Sequence, residues 1–472
     1  MAIGGIGWKL HGDGRTPPPG EVVRPDERLS WGRTIGLGAQ HVVAMFGATF
    51  VFPIIMGLDP NLAIMMSGVA TILFLIIVGG QVPSYLGTSA SFVGGVTAIR
   101  AAGGDSATVT GAILVAGLVL AAVGLVIHFL GAEVIHKILP PVVTGAVVML
   151  IGFNLAPVVA NVYWPQDQWV ALLTLAFVVL ATVVLRGFMA RIAIFLGLVF
   201  GFAISFLADK IFGKISSFDP GAGKVTEHFR VNVDAVKSAD WIGLPSFHAP
   251  DLKTSAILLT LPAVIALIAE NTGHVKAVAA MTGTDLDRTL GRALFGDGVG
   301  TALASSVGGS PTTTYAENIG VMAATRVYST AAYYVAALVA ILFGLCPKFG
   351  ALIAATPGGV LGGITVVLYG MIGLLGAKIW IESRVDFANP INLVPVAAGI
   401  IIAIGNTSLK ITNDFSLAGI AFGTLVTVIG YHLVRAVAPK YMRDADEASL
   451  GEAGFEHGAG DPRTDRTSRR RS

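Results

Sequence analysis

Charge is what this sequence has little of. Asp, Glu, Lys and Arg make up 13% of its 472 residues, against roughly 25% in a soluble globular protein. A chain of this length with so little charge has no means of covering a water-facing surface. That excludes an aqueous enzyme, a nucleic-acid binder and a secreted scaffold. Cysteine is scarcer still: Cys346 stands alone, so neither a disulfide framework nor a cysteine-held metal cluster is available, and Cys346 is expected to be a buried packing residue. A net charge of +2 supplies no field for an acidic partner. What the chain has instead is 54% hydrophobic residues, a mean hydropathy of +0.75 and 59 glycines. Glycine is common where membrane helices approach closely or break. The sequence reads as a polytopic membrane protein.

Of the 60 charged residues, 34 fall in residues 1–33, 213–253 and 435–472. Residues 1–33 lack the charged start, apolar core and cleavage site of a signal peptide and read as a disordered tail kept on the mature protein. Apolar segments follow at about 34–56, 60–80, 107–131, 138–160, 167–186 and 193–212, and after the polar loop 213–253 at 254–272, 290–307, 327–347, 357–377, 391–405 and 416–438. All but the shortest approach the ~20 residues needed to cross a bilayer core. Two further stretches, 83–95 and 308–320, are rich in Gly, Ser, Thr or Pro and read badly as helix. Extended backbone at membrane depth is tolerated only where protein buries it or it lines a cavity.

Counted as half strand and half helix, these two stretches are third in each set of seven, about 225 residues apart. Seven is odd, so the second set enters from the opposite side. The expected fold is an all-α polytopic membrane protein with 14 transmembrane segments in a 7+7 inverted repeat, segments 3 and 10 being part strand, part helix. A substrate site is expected where the broken segments meet. The excess of Lys and Arg in loops places the N-terminus inside: Lys137, Arg186, Arg191, Lys276, Arg288, Arg292, Arg326, Lys378 and Arg384 then lie on one side. Loop 213–253 becomes external, and the tails 1–33 and 439–472 cytoplasmic.

Ionisable groups inside apolar spans mark ion or substrate paths. Glu270 and His274 are four residues apart, on one helix face. Glu317 sits in the second break, two residues after Tyr315, and Asp297 lies between two glycines. A metal reading of Glu270 and His274 lacks further ligands, and a hydrolase reading lacks a nucleophile. Groups of these types in apolar surroundings can exchange protons near neutral pH, so proton coupling and binding fit best. Two carboxylates beside free backbone amides suit a planar ligand with alternating N–H and C=O groups, as on a nucleobase edge. An inorganic anion would be repelled.

The stretch Glu317-Asn318-Ile319-Gly320-Val321-Met322-Ala323-Ala324-Thr325-Arg326 resembles the signature of the nucleobase–ascorbate transporter family. Thr313-Thr314-Tyr315-Ala316, Ala269-Glu270 to His274, Gln40-His41 and Gly296-Asp297-Gly298 match its patterns in order, over roughly residues 30–440. The resemblance implies a core domain (34–131 and 254–347) and a gate domain (138–212 and 357–438), with bases bound between them, uptake coupled to protons, a homodimer in the cell membrane and no cofactor. Carried over to these positions, Glu270 and Glu317 would hydrogen-bond the base. Tyr315, Ala316, Ala48 and the backbone around Ser89 and Ala90 would line the pocket. Glu270, His274 and Asp297 would serve proton coupling, and His41 and Asn318 the structure. Glu317 in a Tyr-x-Glu-Asn context resembles the uracil branch, whereas purine transporters typically carry Gln there. Ala90 departs from the Phe typical of uracil permeases, and Phe92 is the candidate to supply the missing stacking. The reading is a proton-coupled uracil symporter. Its alternatives are a xanthine, uric acid or broader nucleobase permease, a passive facilitator, and the related sulfate-type anion transporter architecture.

Overall fold

Near-continuous apolar runs closed by capping residues produce helices at almost every expected position. The computed structural model describes residues 7–444 apart from 16, 18–20, 132–136, 220–223 and 412–415. The first half contains α1 (Trp31–Ala44), α2 (Phe46–Met56), α3 (Pro60–Ile77), strand β1 (Leu86–Thr88), α4 (Val93–Ala101), α5 (Ser106–Leu130), α6 (Pro141–Phe153), α7 (Gln168–Val184) and α8 (Ala193–Phe212). The loop that follows holds a hairpin, β2 (Ile215–Asp219) and β3 (Lys224–His228). The second half contains α9 (Thr254–Thr260), α10 (Pro262–Thr282), α11 (Asp287–Ser306), strand β4 (Thr312–Thr314), α12 (Ala316–Thr325), α13 (Thr330–Gly344), α14 (Pro347–Ala354), α15 (Gly358–Glu382), α16 (Pro390–Ile404) and α17 (Gly419–Val437). Among the described residues, eight helical runs are long and apolar enough to cross a membrane, and α13 with α14 would make a ninth, bent by 82°. Several of the sparse carboxylates cap helices: Asp59, Asp105 and Asp167 accept from the first-turn amides of α3, α5 and α7, where the helix dipole favours negative charge.

Glycine sets the closest helix contacts. A Cβ on Gly298 of α11 would lie 2.3 Å from the Ala121 amide of α5, and one on Gly376 of α15 would lie 2.2 Å from the Gly145 carbonyl of α6. Small residues of this kind let membrane helices pack backbone to backbone. The two tightest interfaces, α5 with α11 and α6 with α15, fall in separate sets of helices, and the cavity described below opens between those sets.

Both broken stretches contain a strand, and the two strands pair antiparallel with Leu86 opposite Thr314 and Thr88 opposite Thr312. Strand edges inside a membrane need partners, and threonine hydroxyls of the preceding helices provide them. Thr71 of α3 accepts from the Leu86 amide at 2.9 Å, and Thr301 of α11 accepts from the Thr312 amide at 3.1 Å. Gly87 has to be glycine, because a Cβ there would meet the Tyr315 ring at 2.5 Å.

Two expectations need correcting. The described part of the N-terminal tail is not disordered: Lys9–Leu10 pairs with Glu27–Arg28, and Val23 bridges to Val327. Buried Val23, Leu29 and Val327 give it an apolar core that its overall polarity hides. Segment 327–347 holds α13, and the chain bends into α14 at the end of that segment, between Gly344 and Pro347. Cys346 is only half-buried, and its carbonyl rather than its thiol is used, accepting from Asn61 at 2.8 Å.

Backbone bonds from Gly243, His248 and Asp251 tie the second part of the loop 213–253 to the helices, and an arginine clamps its first part. Arg230 reaches Asp167 at 2.6 Å and Asp209 at 3.1 Å, all three side chains being at most 13% exposed. Arg230→Ala would leave two buried carboxylates uncompensated, a loss of about 3–5 kcal/mol. A large drop in the thermal midpoint of the purified protein is expected, and an unchanged midpoint would refute the clamp.

Candidate functional site

The paired strands and the half-helices after them put polar side chains at the closed end of a cavity of about 370 Å³, within the range of small-molecule sites. One wall comes from α10, β4, α12 and the turn before α4. On α10, Glu270, Gly273, His274 and Ala277 follow one another along a single face. Thr313, Tyr315, Ala316 and Glu317 follow from the second break, and Ala90 and Ser91 from the first. The opposite wall is apolar: Val148 and Ile151 of α6, then Leu368, Ile372 and Leu375 of α15. The cavity continues along α15 to Lys378 and Glu382, an exposed ion pair 3.5 Å apart. Glu317 is exposed to the cavity, and Glu270 and His274 are half-exposed.

Hydrogen bonds hold these groups. The Tyr315 hydroxyl donates to the Thr88 carbonyl at 2.5 Å, tying one break to the other. His274 Nδ1 lies 2.8 Å from the Thr314 hydroxyl. The Ser91 and Thr313 hydroxyls stand beside the Glu270 carboxyl. Tyr315 precedes α12 without capping it by its side chain; the Glu317 carboxyl takes its own amide and the Ile319 amide bonds the Tyr315 carbonyl, which leaves the Ala316 and Asn318 amides at the turn that carries Glu317. Asn318 points the other way: its Nδ2 donates to the His41 carbonyl at 3.1 Å, and the His41 ring packs on Tyr333 with centroids 4.4 Å apart.

The structure therefore brings Glu270, His274, Tyr315, Ala316, Glu317 and Ala90 to one cavity. It places His41 and Asn318 behind it. Asp297 is fully buried outside the lining, where its Oδ2 accepts from Asn271 at 2.9 Å. Asp297 Oδ1, Asn271 Oδ1 and Thr313 Oγ1 are buried without a hydrogen-bond partner among the described residues. Ser89 is also fully buried: its amide donates to the Pro311 carbonyl and its side chain accepts from the Ser91 amide, so Ser91 and not Ser89 forms the wall. Ala48 lies on α2, and its side chain is outside the described ones. Phe92 is fully buried in the core and does not reach the cavity. Beside Tyr315, the aromatic in the lining is Phe52, stacked on Tyr369 at 6.2 Å. Ser91 and Thr313 were legible as polar residues of the breaks. Phe52 and the α6–α15 wall carry no sequence signal, being apolar residues among many.

The sequence model described as the Permease family matches residues 32–412. The putative pyrimidine permease RutG of Escherichia coli (strain K12) is 44% identical over 429 residues, covering 89% of this chain and 93% of that protein. The uracil permease of Bacillus caldolyticus is 36% identical, covering 86% and 93%. Among solved structures, the murine Solute Carrier 26 family member A9 anion transporter in its inward-facing state superposes with a TM-score of 0.64 at 11% identity, over 86% of this chain and 68% of that one. The transmembrane domain of the cyanobacterial bicarbonate transporter BicA does so at 0.55 and 16%, over 84% and 96%. At these identities the two structures show the fold alone.

Proposed function

The chain belongs to the nucleobase–ascorbate transporter family of permeases, and from that premise we propose that it is a proton-coupled uracil symporter working by alternating access. It is a multi-pass membrane transporter and not an enzyme. The observation that carries the proposal is the asymmetry of the cavity: almost every polar group comes from one wall, and the facing α6–α15 wall is apolar as far as Lys378. A site carried wholly by one body can be opened to either side by sliding the other past it. The polar wall belongs to the proposed core (34–131, 254–347) and the apolar wall to the proposed gate (138–212, 357–438).

The chemistry suits a uracil edge. The carboxylates of Glu270 and Glu317 accept N–H groups, while the Ser91 hydroxyl and the free first-turn amides of α12 donate to carbonyl oxygens. The names of the relatives, uracil and pyrimidine permeases, support the same substrate class. The unpartnered oxygens of Asp297, Asn271 and Thr313 leave capacity for a proton beside Glu270. In the proposed fourteen-span inverted repeat, the threonine that closes each strand edge comes from the helix before each break. The cavity mouth at Lys378 and Glu382 lies at the end that the Lys and Arg distribution assigns to the cytoplasm, which supports an inward-open arrangement in the cell membrane with both termini inside. Homodimerisation is carried by family alone. The test is competition against radiolabelled uracil uptake by a panel of bases: uracil should compete best, and strongest competition by xanthine or uric acid would overturn the substrate assignment.

A further inference from the structure

We propose that the N-terminal segment is a positioning strap for the half-helix that carries Glu317, acting through Trp8, Val23 and Pro25. The inference rests on reading the cavity as a nucleobase site. It starts from α12, which has only ten residues and an open face: Ala316, Glu317, Gly320, Ala323 and Ala324 are all exposed. A short helix unsupported along one side takes its placement from its two ends. The strand pairing at β4 and the Asn318–His41 contact fix the first end.

The second end is fixed by the N-terminal segment. Helix α12 stops at Arg326, a non-glycine residue in the left-handed region at φ 57°, a strained conformation that persists only where its surroundings impose it. The Val23 amide donates to the Arg326 carbonyl at 2.9 Å, and the Tyr328 amide donates back to Val23 at 2.8 Å. The Arg326 guanidinium donates to the Pro17 carbonyl at 3.2 Å. Four residues after Arg326, the Thr330 hydroxyl accepts from the Trp8 indole and donates to the Pro25 carbonyl, both at 2.8 Å. Trp8 is itself packed edge-on against Trp31 and Tyr334, and His11 lies 2.9 Å from Glu27 within the strap. Arg326, which ends the Glu317–Arg326 stretch, and the residues just after it are thus the docking point for a segment far away in sequence.

Val23→Pro removes the amide that holds Arg326, while Val23→Ala keeps it. If the strap positions Glu317, Val23→Pro should raise the KM for uracil roughly fivefold, the worth of one hydrogen bond, with Vmax per transporter in the membrane within about twofold of the parent, and Val23→Ala should leave KM in place. Trp8→Phe, which deletes the bond to Thr330 and trims the ring packing on Trp31 and Tyr334, should shift KM in the same direction and decides the matter if Val23→Pro is not recovered. A parental KM with lower abundance in either variant would overturn the proposal. A second readout does not involve uracil. With Cys346→Ser and Ala316→Cys in place, Val23→Pro should change the labelling rate by a membrane-permeant maleimide about fivefold, and an equal rate would also overturn it. Absence of uracil uptake by the parent protein would defeat the substrate reading and leave the labelling result to judge the strap.

Discussion

Glu270→Gln is expected to abolish accumulation of uracil against its gradient while leaving binding and downhill exchange in place. The substitution keeps the size and planarity of the side chain and an oxygen acceptor for the base, and it removes the one thing an amide cannot do, which is to take up and release a proton. Glu270 is placed for that exchange: it opens onto the cavity beside Ser91 and Thr313, next to the buried Asn271–Asp297 pair whose remaining oxygens are unpartnered. His274 lies one turn further toward the mouth. Counterflow of preloaded uracil against external label reads exchange alone, and uptake driven by a pH gradient reads coupling. Both should be strong in the parent; only the first should survive in Glu270→Gln. Uphill uptake by the variant equal to that of the parent would remove Glu270 from the coupling path.

Glu317→Gln is expected to weaken uracil recognition by roughly 10- to 100-fold, the range of a hydrogen bond to a charged group. The carboxylate sits in the first turn of α12, where a helix N-terminus favours negative charge, and it presents acceptors only. Glutamine at the same place replaces one acceptor with a donor, so a base edge offering N–H groups meets the wrong partner and one offering a carbonyl or ring nitrogen gains one. Competition by xanthine should strengthen relative to uracil and thymine. An unchanged order and strength of competition by the three bases would count against a direct contact.

The likeness to anion transporters at 11% and 16% identity concerns the scaffold, since function is carried by the site placed on a fold. Two cavity carboxylates are ill suited to an anion. That distinction was legible in the sequence, because Glu270 and Glu317 are rare charges within apolar or break-forming surroundings, and the spacing of Glu270 and His274 put both on one face. The strands were legible as well: Gly-, Ser- and Thr-rich backbone cannot stay extended in a membrane without lining something. What could not be read was tertiary. Ser89 and Ser91 are equivalent as residue types and both are buried, and only the register of the strand pair turns the first away from the cavity and puts the second in its wall. Phe92 and Phe52 are equally apolar, and only the packing of α2 on α15 selects Phe52. The fold of the N-terminal segment depends on Val23 meeting Val327, a contact across some three hundred residues with no local pattern to announce it. The bend at Cys346 was visible as Pro347 but masked by the apolar residues around it.

A proton gradient is expected to drive uracil through this cavity. The most direct measurement uses purified protein in liposomes, acidic outside and loaded with buffer inside, with radiolabelled uracil added externally. Uracil should accumulate above its external concentration and run back to equality when an uncoupler collapses the gradient. Equilibration to the same level with and without the gradient would contradict the account and make the protein a passive facilitator.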